Sequence, residues 1–281
     1  MIVIASIPGQ LGNRLIVYAS VMAWCIRNKQ KLVNPSFAPY DAYFSMEDKH
    51  EVLVKKSFWN NYRRSYNTAR ISWRLKNSIP RMKCKWIDWH QEINLDDTEI
   101  TKAFSKSGVL FLQGWKFRAN QSLVQEKETI RNYFSLKPEL QKQLDRFLEK
   151  TGMASGITIG VHIRRGDYAK FEAGKYFYEN AIYLNSMLAC KESYAHQNIH
   201  FMICSNEKVD LDFFSQKGLS VFEGPGHEAL DMYALSECHR IIGPPSTYTM
   251  WASFLNDVPL FMIRDKNGVF DPKQTQIINT F

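Results

Sequence analysis

The sequence predicts an α/β protein whose C-terminal half is a doubly wound parallel sheet. Three observations support this class. Apolar β-branched runs alternate with helix-like segments from residue 156 onward, the chain opens on a strand, a glycine loop and a helix, and its 281 residues are 45% hydrophobic. Strands and helices alternating at this spacing are typical of a parallel sheet covered by helices. We predict two domains, 1–150 and 151–281, with the boundary in a segment (136–155) where a charged helix ends in "TGMASG".

The first half contains fewer regular elements than the second. "MIVIASI" predicts a buried strand, "PGQLGN" a loop, and residues 14–28 a helix; a further strand is predicted at 108–115 and a helix with Pro138 in its first turn. Residues 35 to 105 form an irregular, aromatic and basic insert. The second half is predicted to contain, in order, strand 157–163, helix 176–191, strand 199–204, strand 219–222, helix 227–237, strand 240–242, helix 246–255 and strand 259–263.

The amino-terminal residues and the apolar stretches bear on location. "MIVIASIPGQ" begins apolar with no basic segment ahead of it, which does not match a secretory signal. The longest apolar stretch, "LIVYASVMAWCI" (15–26), is about half as long as a membrane-spanning helix. We therefore expect a cytoplasmic chain, either soluble or peripheral on the cytoplasmic face of the membrane.

The cysteines and histidines favour free thiols and no metal. An odd number of cysteines, widely spaced and without a C-x-x-C pair, predicts free thiols in a reducing compartment. The seven histidines form no closely spaced ligand pair, so we expect no zinc site. The cysteines are Cys25, Cys84, Cys190, Cys204 and Cys238.

The positive charge of the chain is local. Residues 55–85 hold ten Lys or Arg and no Asp or Glu, so the rest of the chain has a net charge of −2, which is the total of +8 less these ten. Aromatic residues from Phe58 to Trp73 recur at three- and four-residue steps, which predicts a basic amphipathic helix. Three interpretations stay open: a helix packed on the first domain, a surface for a membrane or a lipid-linked acceptor, and a nucleic-acid site. We favour the first two and expect no nucleic-acid partner.

"HIRRGDY" (162–168) follows a predicted strand, and ligands of open α/β sheets bind at the carboxyl ends of strands. Arginine suits a phosphate there because its planar fork makes bidentate, charge-assisted bonds. Since neighbours on a strand face opposite ways, we expect one arginine to reach the ligand and the other to hold the loop through a carboxylate such as Asp167. The alternatives are a purely structural ion pair and an exposed Arg165-Gly166-Asp167 adhesion motif, which would need a secreted chain.

Two further loops could bind an anion. In "IIGPPSTYTMW" a strand ends in Gly-Pro-Pro, so Ser246 and Thr247 begin a helix. Hydroxyls at that place either cap the helix or bond a phosphate oxygen. In "PGQLGNRL" Gly9 and Gly12 permit close backbone approach and Asn13 adds a neutral donor, but the loop matches neither a P-loop nor G-x-G-x-x-G.

Taken together, these motifs carry a resemblance. "GQLGNRL", "HIRRGDY" and "ALDMYALSECHRIIGPPSTYTMWASFLN" resemble, in order and spacing, the motifs of the alpha-1,2-fucosyltransferase family, a glycosyltransferase family 11-like group of the fucosyltransferase superfamily. "LQGWKFRANQSLVQEKETIRNYFSLKPEL" is similar to the segment that this family has between the first two motifs. The resemblance implies a GT-B-like fold of two Rossmann-like domains, GDP-L-fucose as donor, and inverting transfer without a metal to a glycan hydroxyl, O2 of galactose.

The resemblance also implies roles for single residues at the donor. Arg164 would bind the β-phosphate of GDP and offset the charge of the leaving group. His162, as a catalytic residue, and Arg165, as a donor-binding residue, would orient the strand end. Asp167 is the candidate base for the acceptor hydroxyl. Ser246 and Thr247 would bond the diphosphate, Gly12 and Asn13 would approach the donor, and Asp231 would reach the nucleoside.

The chain departs from the family pattern at two places. After the next strand "CSNEKVD" has Asn206 and Glu207 where the family often has carboxylates, and Gly-Pro-Pro replaces a small-residue helix start. Three rival functions stay open. The first is a transferase with another nucleotide-sugar donor, and the second is a metal-using GT-A transferase with Asp210 and Asp212 as its D-x-D. The third is a non-catalytic glycan- or membrane-binding protein.

Overall fold

A computed structural model describes residues 1–46, 52, 82–86, 91–98, 102, 109–153, 156–194 and 197–281. The chain divides into two compact units, one of residues 1–138 with 280–281 and one of residues 139–279. The helix that precedes the predicted boundary at residue 150 therefore belongs to the second unit. The division at residue 150 itself stays a prediction.

The first unit contains a parallel sheet in the order β2-β1-β5-β3. Helix α1 is buried on nearly every side, which is why "LIVYASVMAWC" is apolar without a polar stripe. The elements are β1 (Ile2–Ile4), α1 (Leu11–Arg27), β2 (Leu32–Val33), β3 (Met82–Trp86), β4 (Ile93–Asn94), β5 (Val109–Gln113), β6 (Phe117–Arg118), α2 (Asn120–Gln125) and α3 (Lys127–Tyr133), with a 3₁₀ turn at Pro35–Tyr40. β4 and β6 pair with each other in parallel.

The second unit contains a five-stranded sheet in the order β11-β10-β7-β8-β9, and every pairing in it is parallel. Its central strand is β7, with residues such as Val161 fully buried in the core. The elements are α4 (Pro138–Thr151), β7 (Ile157–Ile163), α5 (Asn180–Ser193), β8 (Ile199–Ser205), α6 (Asp212–Ser215), β9 (Val221–Glu223), α7 (Glu228–Ser236), β10 (Arg240–Gly243), α8 (Thr247–Asn256) and β11 (Leu260–Met262), with 3₁₀ turns at Gly166–Ala169, Phe171–Gly174 and Pro272–Gln274.

The strand order fixes where a ligand can bind. The chain builds outward from β7 through β8 to β9, then returns to place β10 and β11 on the other side of β7. This is the predicted doubly wound arrangement. Its direction reverses between β7 and β10, where Val161 pairs with Ile242. Crevices at such a switch point are the usual ligand sites of open α/β sheets.

One predicted helix begins later than expected. The sequence pattern predicts a helix from residue 176, but α5 begins at Asn180, after two 3₁₀ turns and an extended approach through Glu179. The reason lies in a distant contact, because Tyr178 is fully buried and its hydroxyl donates to the carbonyl of Ile263 at 3.0 Å. Burying that ring outweighs the local helical preference.

The thiols and the helices bear on two further predictions. Cys25, Cys190, Cys204 and Cys238 are free and buried, as predicted from their spacing. Burial raises the pKa of the Cys190 thiol to about 12, so this thiol stays protonated and unreactive. In the described part of the chain no helix is both long and apolar enough to cross a bilayer.

Candidate active site

A cavity of about 290 Å³ lies at the switch point of the second unit. The carboxyl ends of β7 and β8 form one side, and the first turns of α7 and α8 form the other. Three residues predicted from the sequence line it: His162, Arg164 and Asp231. The other described lining residues are Cys204, Ser205, Asn206, Gly226, Glu228 and Tyr248.

Arg164 is the cationic residue in the described lining of the cavity. Its side chain is 16% exposed, and Nη2 donates to Oδ2 of Asp167 at 2.9 Å in an ion pair. The guanidinium also lies over the ring of Tyr168, 5.5 Å from its centroid. The expectation that Asp167 pairs with the arginine that does not face the ligand is wrong, because Arg164 both lines the cavity and holds Asp167.

Arg165 faces away from Arg164, as expected for neighbours at a strand end. Its Nε donates to the carbonyl of Tyr178 at 3.3 Å, and its Nη2 bonds Oδ1 of Asn180. The side chain of Asn206 clamps the backbone of Arg165, accepting from its N–H at 3.0 Å and donating to its carbonyl at 3.4 Å. Arg165 therefore ties the loop to the start of α5, and the described cavity lining does not include it.

His162 is buried, at 4% exposure, and its ring stacks on that of Tyr248 with centroids 4.9 Å apart. Burial, helped by the Arg164 cation, lowers the pKa of His162 to about 3. The imidazole is therefore neutral at physiological pH and serves as one hydrogen-bond donor and one acceptor. Among the described residues, its buried Nδ1 has no hydrogen-bond partner.

Asp231 lies in the first turn of α7 and is 7% exposed. Its Oδ1 accepts from the backbone N–H groups of Gly226 at 2.7 Å and His227 at 3.4 Å. Gly226 has a φ of +77°, a conformation that favours glycine, and this turns its N–H toward the carboxylate. Burial raises the pKa of Asp231 to about 6, against the opposing effect of these two bonds. Near neutral pH the carboxylate is therefore largely ionised, and it becomes protonated as the pH falls below about 6.

Ser246 is the N-cap of α8, and its hydroxyl accepts from the N–H of Tyr248 at 3.2 Å. Thr247 is the first residue of the helix. The hydroxyl of Tyr168 donates to the carbonyl of Pro245 at 3.0 Å, which joins the "HIRRGDY" loop to the Gly-Pro-Pro turn. The capping interpretation of Ser246 is confirmed, while the phosphate-binding roles of Ser246 and Thr247 stay predictions, as neither is in the described cavity lining.

Other predicted residues lie in the first unit or outside the described part. Gly12 and Asn13 are in the first turn of α1, and their contribution to donor binding stays a prediction. The basic helix predicted from Phe58 to Trp73 lies outside the described residues. Of the 55–85 segment the structure describes 82–85, which belong to strand β3.

The family model described as "Glycosyl transferase family 11" matches residues 3–273. The chain belongs to glycosyl transferase family 11. This confirms the resemblance carried by the three motifs. The match takes in both units of this family 11 chain, including the cavity at the switch point.

Curated relatives of the family 11 chain are named galactoside alpha-(1,2)-fucosyltransferase 1. The one from Ateles belzebuth is 30% identical over 145 residues, covering 46% of this chain and 38% of the relative. The one from Saimiri boliviensis boliviensis is 27% identical over 182 residues, covering 59% of this chain and 48% of the relative. The matches thus span less than half the length of these relatives.

Solved structures similar to the family 11 chain are fucosyltransferases. A mutant of Arabidopsis thaliana FUT1 in complex with GDP has a TM-score of 0.60 at 14% identity, covering 98% of this chain and 73% of that one. POFUT1 in complex with GDP-fucose has 0.59 at 11%, covering 91% and 94%. NodZ from Bradyrhizobium has 0.56 at 16%, covering 93% and 95%. These likenesses confirm the expected GT-B-like α/β fold.

Sequence reasoning missed several residues of the site. Tyr248 stacks on His162 and its hydroxyl donates to the carbonyl of Glu228 at 2.6 Å, so it connects β7, α7 and α8. The sequence did contain a signal for Tyr248, because it lies two residues after the predicted cap Ser246. A side chain in the first turn of a helix borders any site at the start of that helix. From the sequence, Cys204 was predicted only as a free thiol. In the structure it lines the cavity, because β8 ends beside Asp231.

Proposed function

We propose that the chain transfers L-fucose from GDP-L-fucose to a hydroxyl of a glycan, O2 of a galactose, with inversion at the anomeric carbon. The observation that carries this proposal is the grouping of Arg164, Asp231 and the neutral His162 around one cavity at the switch point of the second unit. The family assignment and the names of the relatives, galactoside alpha-(1,2)-fucosyltransferase 1, support the reaction. The GDP and GDP-fucose complexes of similar structures support the donor.

The cavity suits the nucleoside end of the donor. Ligand pockets typically have volumes of about 300–1,000 Å³. The volume of this cavity, about 290 Å³, is just below that range, so the cavity fits part of a nucleotide sugar. Guanine has two N–H donors on adjacent atoms, and a carboxylate accepts both. The Asp231 Oδ1 is held by two backbone donors, and no described residue bonds Oδ2. We assign Asp231 to the base, and the neutral His162 ring, stacked on Tyr248, to the wall of the cavity that receives it.

Arg164 would act on the leaving group. In the transfer the bond between C1 of fucose and the β-phosphate oxygen breaks, a bond from C1 to the acceptor oxygen forms, and the acceptor proton leaves. Negative charge then develops on GDP, and a fixed cation beside it lowers the barrier. The ion pair with Asp167 and the contact with Tyr168 hold the guanidinium in place.

Two assignments stay part of the proposal. Asp167 is 53% exposed, and its Oδ1 would take the acceptor proton while Oδ2 pairs with Arg164. The second assignment is transfer without a metal ion. The described residues contain no group of three His, Cys, Asp or Glu side chains that could hold a metal, and Arg164 supplies a positive charge at the place where a metal would act.

Calorimetry with EDTA present tests the donor. We expect the purified chain to bind GDP and GDP-L-fucose, and to bind ADP and UDP at least tenfold more weakly. We expect GDP-L-fucose to bind more tightly than GDP-mannose. Selective binding of UDP-galactose would mean that the donor is UDP-galactose and not GDP-L-fucose. Absence of any nucleotide binding would refute the enzyme proposal.

The finer acceptor proposal concerns the segment 55–85. Its ten cations without an acidic residue support contact with an anionic membrane face and a lipid-linked acceptor in the cytoplasm. Sedimentation with vesicles containing phosphatidylglycerol tests this. Binding that salt abolishes supports it, and equal recovery with neutral phosphatidylcholine vesicles argues against it.

A further inference from the structure

Two aromatic rings stack on each other beside the cavity arginine. Tyr168 and Phe171 have ring centroids 5.3 Å apart and planes inclined by 28°, so the two rings are stacked face to face and each covers part of the other. The guanidinium of Arg164 lies over the Tyr168 ring at 5.5 Å. The Tyr168 ring therefore contacts both Phe171 and Arg164, the residue that we assign to the leaving phosphate.

Phe171 is 42% exposed, although an aromatic ring of this size is normally buried. The other three large apolar side chains with comparable exposure in the described residues are aliphatic: Val124, Val269 and Ile277. Phe171 is therefore the aromatic side chain in this set, and it lies against the tyrosine that contacts Arg164.

The backbone that presents Phe171 is strained. Glu172 and Ala173 have φ values of +46° and +55°, a left-handed conformation that side-chain-bearing residues rarely adopt, and Gly174 follows at +76°. The hydroxyl of Tyr168 fixes the other side of the stack by donating to the carbonyl of Pro245 at 3.0 Å. Strain of this kind persists where the surroundings enforce it, and it clusters at ligand-binding segments.

The chemistry of transfer places the acceptor here. C1 of the donor sugar is bonded to the β-phosphate oxygen, and the acceptor oxygen must come within about 3–3.5 Å of C1. The acceptor sugar therefore lies within a sugar's width of the group bound by Arg164. Galactose has one apolar face, formed by the C–H groups of C3, C4 and C5, and this face packs favourably on aromatic rings.

We propose that the exposed ring of Phe171, backed by the stacked ring of Tyr168, is the platform on which the apolar face of the acceptor galactose rests. This assignment rests on the proposed fucosyl transfer, because that reaction is what requires a sugar beside Arg164. The exposed Lys170 and Glu172 flank Phe171 and offer polar groups to the hydroxyls at the rim of the ring.

Steady-state kinetics of Phe171→Ala and Phe171→Trp test the platform. At saturating GDP-L-fucose we expect Phe171→Ala to raise the KM for methyl β-D-galactopyranoside at least tenfold, with the Kd of GDP within twofold of the wild type. Phe171→Trp, which keeps a flat ring, should restore the KM to within about threefold. Ile277→Ala, which removes an equally exposed apolar side chain (44%) from the same unit, should leave both values unchanged. An unchanged KM in Phe171→Ala, with transfer intact, would overturn the platform and keep the transferase.

A binding measurement without turnover separates the two proposals. In saturation-transfer NMR with GDP present, the wild type should transfer most strongly to the protons on C3, C4 and C5 of methyl β-D-galactopyranoside, and Phe171→Ala should lose that pattern. If GDP binds but no fucose is transferred, this pattern still supports the platform. A uniform or absent pattern in the wild type refutes it, whatever the kinetics show.

Discussion

The strand-to-helix loops that follow β1 and β7 differ in length and in how they are held. The loop from β1 to α1 has six residues (5–10), turns at Gly9 with a φ of +51°, and enters a helix whose first turn has no side-chain cap. The loop from β7 to α5 has sixteen residues (164–179) and contains two 3₁₀ turns. Connections in α/β units usually have two to six residues, so the second is unusually long.

The long loop is held mainly by side chains. Arg164 pairs with Asp167, Arg165 bonds the carbonyl of Tyr178, and Tyr168 bonds the carbonyl of Pro245. The bonds of Arg164 and Tyr168 fix groups that border the cavity or the aromatic stack, and the bond of Arg165 ties the loop toward the start of α5. The short loop has the Ser6 hydroxyl bonded to the carbonyl of Gly114 and Arg14 bonded to the carbonyl of Gly9, and its turn uses the backbone conformation of one glycine. Under the proposed transfer the long loop supplies Arg164 and Asp167, so we expect mutations in the two loops to differ in whether they affect turnover or folding.

The largest expected effect is that of Arg164→Ala on turnover. Removing the cation leaves the charge of the departing GDP unbalanced, and loss of one such group costs about 3–4 kcal/mol in the barrier, or about 10²–10³ in rate. Fucosyl transfer measured by release of GDP checks this. The free energy of unfolding should change by less than about 1 kcal/mol, because the lost ion pair has a half-exposed partner.

Arg264→Ala is the matched control for this variant, since it removes an exposed arginine of the same unit whose one described contact is Met262 Sδ at 3.7 Å. We expect its transfer rate to equal that of the wild type. A comparable loss in both variants would mean that net charge, rather than the placement of Arg164, drives the reaction.

The next effect is that of Arg165→Ala on stability. Arg165 bonds Tyr178 in the loop and Asn180 at the start of α5, and losing hydrogen bonds to a charged group costs about 1.5–3 kcal/mol. Urea unfolding followed by tryptophan fluorescence should show this loss, while calorimetry should give a Kd for GDP within about threefold of the wild type. If Arg165 instead bound the donor, as the family resemblance implies, the Kd would rise and the stability would hold.

A smaller effect is expected from the pH. Because burial raises the pKa of Asp231 to about 6, its carboxylate is largely ionised at pH 7.5 and largely protonated at pH 5. Guanine donates two hydrogen bonds and therefore needs the ionised carboxylate of Asp231 as acceptor. The Kd of GDP should thus rise about tenfold between pH 7.5 and 5. His162, with its pKa lowered to about 3, stays neutral across this range.

Asp231→Asn separates this effect from other titrations. The variant should bind GDP weakly, with a Kd that does not change with pH. Stability gives an independent check: a carboxyl with a raised pKa stabilises the fold most below its ordinary pKa of 3.8, and that contribution is lost as the pH rises through about 6. The free energy of unfolding of the variant relative to the wild type should therefore increase from pH 4 to pH 7. A constant difference would contradict the raised pKa.

Much of the fold and part of the site could be predicted from the sequence, for different physical reasons. The strands of the second unit are short continuous apolar runs, because a parallel sheet covered on both faces must bury every side chain, so their positions were predicted to within one or two residues. Arg164 could be placed because a charged pair directly after such a run lies at the ligand edge of the sheet.

What could not be predicted depends on contacts between distant segments. The carboxylate of Asp231 is held by the backbone of a turn, and Tyr248 reaches His162 only because α8 starts beside the end of β7. The helical pattern after residue 175 is overridden by the bond from Tyr178 to Ile263, which lies 85 residues away. Local periodicity contains no information about such partners.

The smallest expected effect on turnover, in the short loop, is that of Gly9→Ala. A residue with a side chain is disfavoured by about 1–2 kcal/mol at a φ of +51°, and the added Cβ would lie 2.4 Å from Nδ2 of Asn13, whose flexible amide must then rotate away. We expect the free energy of unfolding to fall by about 1–2 kcal/mol. Gly218→Ala is the control, because Gly218 has a φ of +79° and no atom within 4 Å of the added Cβ. Equal stability losses but slower transfer in Gly9→Ala alone would show that the Asn13 amide takes part in the reaction, whereas equal transfer rates would confine the short loop to folding.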